Sequence, residues 1–199
     1  MKSFRTWTSR LLLVVALPLL LAGCGYNKIP TLDNNMQAKW ADVQNQYQRR
    51  ADLIPNLVST VKGYAKQESS VLIAVTEARA GAMQVRADNS TPTDPAAMKK
   101  YQAAQNNLTT ALIPFQRLQE NYPDLKSNTN FLALQSQLEG TENRISVSRR
   151  DYNEAVREYN TSLETFPSLL WAKTFQSGHK RKVPFEAAAA SQNAPTVTF

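Results

Sequence analysis

The sequence predicts an all-α protein, an antiparallel four-helix bundle with long first and fourth helices, two shorter helices between them and an extended C-terminal tail. Three observations predict this fold class. The chain of 199 residues has only six glycines, and Ala, Gln, Asn, Leu and Arg dominate its composition, which favours long helices over a sheet. Apolar side chains recur at spacings of three, four and seven, the period of a helix face. Turn-forming residues gather in a few short segments, so the stretches between them are long.

The chain begins with a pattern typical of a secretory signal peptide, residues 1–23. The first ten residues carry three basic side chains and no acidic one, and an apolar run follows at residues 11–22. These twelve residues are too few to cross a hydrocarbon core of ~30 Å, which needs roughly 20 residues in a helix. Without the three leader charges the mature chain keeps +4 of the formal +7, too little to indicate a nucleic-acid partner.

Cys24 follows the leader directly, and the sequence Leu-Ala-Gly-Cys that ends there resembles the lipobox of bacterial lipoproteins. The resemblance implies that Cys24 is acylated and begins a tether over residues 24–30. Two or three acyl chains hold a protein on a membrane durably, whereas one gives marginal binding. Position 25 is Gly and not the Asp of the inner-membrane sorting rule, so the periplasmic side of the outer membrane is favoured if the cell is Gram-negative. Cys24 is the only cysteine, which excludes a disulfide once it is acylated.

The predicted bundle, residues 31–166, begins with a long helix from Thr31 to about Ala65. Pro55 lies inside this helix and removes the backbone bond to the Ala51 carbonyl. The helix therefore either kinks at Pro55 or breaks there, with Asp52 available as the cap of a second segment. Its apolar stripe consists of Trp40, Val43, Tyr47, Ile54, Leu57, Val58, Val61 and Tyr64.

Two shorter helices are predicted next, one around residues 71–85 and one from about 96 to 121 that should bend at Pro114. The turn-rich segment 88–95 separates them. After a turn at 124–128, a fourth helix runs to about Phe166 with heptad-like spacing. Its stripe consists of Phe131, Leu134, Leu138, Ile145, Tyr152, Tyr159, Leu163 and Phe166. At about 1.5 Å per residue the first and fourth helices each reach roughly 50 Å or more, so we expect them to pair.

Charged residues interrupt the apolar stripes of both long helices. In an antiparallel pair the two interruptions can face each other, and we expect one of two adjacent arginines to pair with Glu142 and Asp52 to reach an arginine of the fourth helix. Such a pair sets helix register more than it stabilises. The alternative, that these groups are solvated, is equally open. The predicted polar layer consists of Arg49, Arg50, Asp52, Glu142, Arg144 and Arg149.

The tail, residues 167–199, is expected to hold a short helix and a basic loop. Trp171 and Phe175 lie four residues apart and fit one face of a helix that caps the bundle. The basic cluster Lys180, Arg181 and Lys182 either contacts anionic headgroups, at about 1 kcal/mol per charge, or is a solvated loop.

Four segments carry a family resemblance. They are AKWADVQNQYQRRADLIPNLVSTVKGYAKQE in the first helix, VTEARA in the second, LEGTENRISVSRRDYNEAVREYNTSLETFP in the fourth, and Phe185 followed by PTVTF in the tail. From about Tyr26 to Phe199 the chain resembles the LemA family. The resemblance implies a mostly antiparallel four-helix fold held to a membrane by an N-terminal hydrophobic segment, which the lipobox here replaces with an acylated anchor. It implies no common activity.

Groups suited to catalysis are scarce. His179 is the only histidine, and the sequence has no Gly-rich phosphate loop and no Cys or His metal spacing, so we expect no cofactor and no metal. Glu77 with Glu142 could do acid–base work, but structural charge pairing is favoured. We expect a membrane-anchored envelope lipoprotein that acts as a helical interaction or scaffold module toward a protein partner or a second copy. The alternatives are a carboxylate-dependent envelope hydrolase and an accessory subunit of a membrane protease quality-control system.

Overall fold

The computed structural model describes residues 25–64, 68–85 and 87–186, and within these ranges it contains helices and no strand. The all-α class is therefore confirmed. Cys24, the signal peptide and the end of the tail lie outside the described residues. The helices are α1 Lys28–Lys62, α2 Ser69–Gln84, a 3₁₀ turn Thr91–Thr93, α3 Pro95–Asn121, α4 Pro123–Lys126, α5 Thr129–Glu164 and α6 Ser168–Thr174.

Side-chain caps fix where two of these helices begin. Asp94 accepts bonds from the backbone N–H groups of Ala96 and Ala97 at 2.8 and 3.2 Å, and Pro95 occupies the first helical position of α3. Asn128 accepts from the N–H of Phe131 at 2.9 Å and starts α5. Both arrangements satisfy donors that a helix start otherwise leaves unpaired.

The long helices α1 and α5 run antiparallel along each other. Asn128, at the start of α5, donates to the hydroxyl of Tyr64, just beyond the end of α1, at 2.7 Å. Lys39, early in α1, lies 3.9 Å from Asp151, late in α5. At about 1.5 Å per residue, 35 and 36 residues make each helix roughly 50 Å long.

Pro55 does not break α1, which is continuous from Lys28 to Lys62. The Pro55 ring is exposed, so it disturbs no packing. The Ala51 carbonyl, which lacks its helical donor because proline has no N–H, accepts a bond from Arg79 Nε at 2.7 Å. Since Arg79 belongs to α2, the same bond ties α2 to α1.

The buried apolar residues form three cores stacked along α1. Nearest the start of α1 is the tether-end core, Ile29, Tyr159 and Leu163. The aromatic core follows, with Met36, Trp40, Val43, Tyr47, Met98, Tyr101, Ile145, Tyr152, Ala155, Val156 and Phe185. The aliphatic core occupies the far end, with Ile54, Leu57, Val61, Leu72, Val75, Ala82, Leu108, Leu112, Phe115, Leu118, Leu125, Phe131 and Leu138.

Candidate functional site

Arg50 is a charge buried at the middle of α1, with 1 % of its side chain exposed. Its Nη1 donates to Glu142 Oε1 at 2.9 Å and to Thr109 Oγ1 at 2.8 Å. Its Nη2 donates to the side-chain and main-chain oxygens of Gln105 at 2.7 and 3.2 Å, and its guanidinium lies 5.1 Å from the Tyr47 ring centre. Burying a charge is costly unless such partners are present. The Arg50 layer therefore joins α1, α3 and α5 at one fixed level.

Arg49 and Asp52 do not join this layer, because both are exposed. Successive helix residues are about 100° apart, so when Arg50 faces inward its neighbours at 49 and 52 face outward. Asp52 accepts a bond from Gln48 on its own helix at 2.8 Å. The predicted contact from Asp52 to an arginine of the fourth helix is therefore wrong.

Arg144 and Arg149 lie on α5 but bind other groups. Arg144 donates to Gln46 at 3.2 Å and to Thr141 at 3.0 Å. Arg149 Nη2 donates to the Glu186 carbonyl at 3.0 Å. Arg144 therefore binds α1, and Arg149 binds the tail. Their acceptors are neutral oxygens, and neither arginine binds Asp52.

Carboxamide side chains hold the tail segment 182–186 by its backbone. Asn160 accepts from the N–H of Lys182 and donates to its carbonyl, both at 2.9 Å. Asn153 likewise accepts a bond from the N–H of Phe185 at 2.8 Å and donates one to its carbonyl at 3.0 Å. A carboxamide that offers one donor and one acceptor replaces the neighbouring strand that an extended segment would otherwise need.

Gln102 on α3 completes the arrangement, which we call the clasp. It accepts from the N–H of Glu186 at 3.2 Å and donates to its carbonyl at 2.7 Å. The sequence contained a signal for the other two members: within α5 the dipeptide Tyr-Asn occurs twice, seven residues apart, ending at Asn153 and Asn160. This spacing puts both carboxamides on one face of α5 beside the buried tyrosines.

Phe185 is the aromatic anchor of the clasped segment, with 4 % of its surface exposed. Its ring centre lies 5.4 Å from that of Tyr152 and 5.8 Å from that of Trp40. Tyr152 also donates to the Val183 carbonyl at 2.9 Å, and Arg149 covers the Phe185 ring at 4.8 Å. The tail therefore completes the aromatic core, which would be open without it.

Burial sets the electrostatics of the tyrosines in this core. Burial raises the pKa of Tyr101, which the neighbouring Tyr47 raises further, and burial likewise raises the pKa of Tyr152. The pKa of Tyr47 is also raised by burial, while Arg149 and Arg50 act in the opposite direction. All three phenols are thus neutral hydrogen-bonding groups and not bases.

The predicted basic cluster is divided by the fold. Lys182 points inward, 2.9 Å from Asp33 and 5.3 Å from the Tyr159 ring centre, with only 10 % of its side chain exposed. Pairing with Asp33 holds the Lys182 ammonium group inward, which corrects the expectation of a three-residue membrane-facing cluster. Arg181 is exposed and pairs with Glu164, and Lys180 is exposed.

The short tail helix exists as α6, but it does not cap the bundle with Phe175. Phe175 lies just beyond the helix and is 77 % exposed. Trp171 is half-buried and packs against Phe175 and, edge-on, against Tyr26. Ala172 is the α6 residue packed on the tether-end core.

The carboxylate pair considered for catalysis is not brought together. Glu77 lines a cleft of about 390 Å³ between α1 and α2, whereas Glu142 lines a different cleft of about 240 Å³ with Arg50. His179 contacts the Tyr159 hydroxyl at 3.2 Å. Over the described ranges no group of three or more His, Cys, Asp or Glu side chains is arranged to hold a metal ion. The helices described there are also not long and apolar enough to cross a membrane.

The described chain is therefore an all-helical protein in which two long helices pair around a buried arginine and an extended tail is held by side-chain bonds. A model of the LemA family matches residues 39–199, and the chain belongs to that family. The match includes the Arg50 layer, the clasp and the anchor Phe185.

Several curated relatives share this similarity. Magnetosome protein MamQ 2 of Paramagnetospirillum magneticum is 25 % identical over 189 residues, which cover 87 % of this chain and 68 % of the relative. Protein LemA of Metamycoplasma hominis is 24 % identical over 140 residues, 70 % of this chain and 60 % of the relative. Magnetosome protein MamQ of Magnetospirillum gryphiswaldense is 24 % identical over 158 residues, which cover 71 % of this chain and 58 % of the relative.

Proposed function

We propose that the protein is a membrane-anchored lipoprotein of the cell envelope that acts as a helical interaction or scaffold module and not as an enzyme. Acyl chains on Cys24 hold it to the membrane, on the periplasmic side, with the outer membrane favoured over the inner one if the cell is Gram-negative. A protein partner or a second copy binds its helix faces. It takes no cofactor, no metal and no nucleic acid.

The observation that carries the interaction role is the apolar cleft between α1 and α2, of about 390 Å³. Val58 and Leu72 line it, and Ile73 at its edge is 55 % exposed. The bond from Arg79 to the Ala51 carbonyl fixes α2 on α1, so the cleft is preformed. An amphipathic helix recognises a groove of this kind through apolar residues at helical spacing.

The proposal includes the finer architecture, an antiparallel four-helix bundle of α1, α2, α3 and α5. Its support is the antiparallel α1–α5 pair, the attachment of α2 to α1 through Arg79, and the shared aliphatic core. In this arrangement the cleft lies at the end of the bundle far from Gly25, where it is accessible to a partner.

The anchor is tested by Cys24→Ser. We expect the native protein to take up a radiolabelled or alkyne fatty acid and to lose its leader, whereas the variant takes up no label and keeps the leader. Intact-mass measurement of the purified protein gives the number of acyl chains. Equal labelling of the two proteins would show that Cys24 is not the acylated residue.

The interaction role is tested by a photo-crosslinking amino acid placed at Ile73 in cells. Val147 on α5, 40 % exposed and also apolar, is the matched control outside the cleft. We expect position 73 to give a reproducible protein adduct, to a partner or to a second copy, that position 147 does not give. Equal or absent adducts at both positions count against the proposal. An adduct to a membrane protease would favour the accessory-subunit alternative.

The enzyme alternative is separated by Glu142→Gln. This variant keeps an acceptor for Arg50, so the fold is preserved while the carboxylate is lost. Under the scaffold proposal, crosslinking at Ile73 is unchanged in this variant. A hydrolytic activity toward envelope substrates that Glu142→Gln abolishes would overturn the proposal.

A further inference from the structure

The short segment around α6 exposes large apolar side chains to solvent. Phe166 and Phe175 are each 77 % exposed, more than any other large apolar side chain in the described ranges, and Leu170 between them is 55 % exposed. Tyr26, 46 % exposed, packs edge-on against Trp171 at 5.4 Å between ring centres. We call Tyr26, Phe166, Leu170 and Phe175 the tether-end patch.

This patch adjoins the residue that follows Cys24. A Cβ atom on Gly25 would lie 3.1 Å from the Pro167 side chain and 3.3 Å from the Ser168 nitrogen, so the start of the mature chain is pressed against α6. Gln176, just after α6, donates to the Tyr26 carbonyl at 2.9 Å. Cys24 is bonded to Gly25, and consecutive Cα atoms are about 3.8 Å apart, so no flexible linker separates the anchor from the patch.

The charges at this end are positive on balance. Lys28, Lys173 and Lys180 are exposed and have no ion-pair partner among the described residues. Of the nearby carboxylates, Glu164 pairs with Arg181, Glu154 with Arg157 and Asp33 with Lys182, whereas Glu158 is in no ion pair among the described residues, so one carboxylate stands against three lysines. Unpaired lysines beside exposed aromatic rings suit the boundary between headgroups and acyl chains.

We infer that the tether-end patch contacts the lipid surface itself. Phe166, Leu170 and Phe175 enter the headgroup region, the three lysines face anionic headgroups, and the α1–α5 pair projects away from the membrane. This inference rests on the proposed anchor at Cys24 and adds to it the face of the protein that meets the bilayer. Acyl chains alone would let the protein rotate about its tether, whereas patch contact fixes its orientation.

The experiment uses the acylated full-length protein reconstituted in phosphatidylglycerol and phosphatidylethanolamine vesicles. Because Cys24 is consumed by acylation, a single introduced cysteine carries a fluorophore at one defined position. Leu170→Cys and Phe175→Cys report on the patch, and Ile73→Cys and Leu132→Cys are matched controls, exposed apolar residues on α2 and α5. All four substitutions are at exposed positions, so folding is retained.

We expect brominated lipids to quench the labels at 170 and 175 at least threefold more than those at 73 and 132, and aqueous iodide to quench them correspondingly less. Equal quenching at all four positions overturns the inference. A second result would also overturn it. If iodide quenches the labels at 170 and 175 less as the protein concentration rises in detergent micelles, a second copy of the protein covers the patch. Intact mass reports acylation of Cys24 separately, so a failed anchor is distinguishable from a failed patch.

The lysines are tested by varying the anionic lipid. We expect lipid quenching at position 170 to rise with the phosphatidylglycerol fraction, and Lys173→Glu with Lys180→Glu to remove at least half of that rise. Lys99→Glu with Lys100→Glu, an equal charge change on exposed residues of α3, should leave the rise unchanged. If both double variants lost the same part of this rise in quenching, the net charge of the protein would explain it, and the specific role of Lys173 and Lys180 would be overturned.

Discussion

The aliphatic and aromatic cores are neighbours along the same helix pair, yet they are built differently. The aliphatic core buries Leu, Val, Ile, Ala and two Phe side chains and no tyrosine or tryptophan. The aromatic core buries Trp40, Tyr47, Tyr101 and Tyr152 around Phe185, beside the Arg50 layer and the clasp. Burial stabilises both cores, but the second also contains buried polar groups, most of which are hydrogen-bonded, whereas Arg50 Nε and the Trp40 indole nitrogen have no hydrogen-bond partner among the described residues.

The difference shows where specificity of assembly lies. Aliphatic side chains make no directional bonds, so exchanging one for another of similar volume costs little in the aliphatic core. Arg50 has directional partners on two other helices, so a shift of one turn would leave a buried charge unpaired. The aromatic half sets the register, and the aliphatic half contributes stability within it.

The largest effect is expected from truncating one buried phenylalanine in each core. Phe115→Ala in the aliphatic core should lower the global free energy of unfolding by about 3–5 kcal/mol, because it leaves a cavity between packed helices. Phe185→Ala should instead release the tail, with a smaller global loss. Urea denaturation measures the first effect, and hydrogen exchange at the Lys182 and Phe185 amides measures the second. The difference between the two cores would be contradicted if both variants lost the same free energy of unfolding and Phe185→Ala did not speed hydrogen exchange at the Lys182 and Phe185 amides.

Removing the partner of the buried arginine is expected to come next. Glu142→Ala should cost about 3 kcal/mol, near the low end for a broken buried pair because Glu142 is 34 % exposed and Arg50 keeps Gln105 and Thr109. Adding Arg50→Met should recover part of the loss, since no buried charge then remains. Glu139→Ala, at an exposed position on the same helix, is the control. A double variant less stable than Glu142→Ala would contradict this expectation, because it would show that Arg50 still stabilises the fold through Gln105 and Thr109 when Glu142 is absent.

A clasp member should have an intermediate effect. Asn153→Ala leaves the N–H and carbonyl of Phe185 without their partner, which should cost about 1–2 kcal/mol in thermal or urea unfolding. Asn143→Ala, an exposed asparagine on the same helix, should change stability by less than about 0.5 kcal/mol. Equal effects of the two substitutions would mean that the clasp contributes nothing.

The smallest effect is the alkaline loss of stability that the buried tyrosines of the aromatic core contribute. The pKa of Tyr101 and Tyr152 is higher in the folded protein than in the unfolded chain, because burial disfavours the phenolate. Their contribution is complete below the unfolded pKa of about 10 and is lost as the pH rises above it, at up to about 1.4 kcal/mol per pH unit for each tyrosine. Tyr101→Phe should therefore show a shallower loss between roughly pH 9.5 and 11 in urea midpoints. If the urea midpoints of the native protein and Tyr101→Phe fell equally with pH over this range, Tyr101 would make no contribution to the alkaline loss.

Periodicity predicted the helices because burial of one face leaves a repeat in the sequence, and it placed the arginine pair at 49 and 50 opposite Glu142. Periodicity could not show which of the two arginines faces inward, because that depends on the rotation of the helix about its axis. In the structure Arg50 is the buried one. The bond from Arg79 to the Ala51 carbonyl, the inward turn of Lys182 and the clasp were not predicted. Each joins residues distant in sequence through a polar contact, and even the Tyr-Asn repeat at 152–153 and 159–160 does not indicate which segment its carboxamides bind.

The clasp also has a consequence for the order of folding during synthesis. Residues 182–186 bind Gln102, Asn153 and Asn160, and their anchor ring enters a pocket formed partly by Trp40. Contacts across such sequence separations form late, after the local helices. At about 5–20 residues per second, the ribosome makes residues 182–186 roughly one to four seconds after the end of α5, and later still after α1 and α3. The aromatic pocket is therefore open on every newly made chain until its own tail arrives.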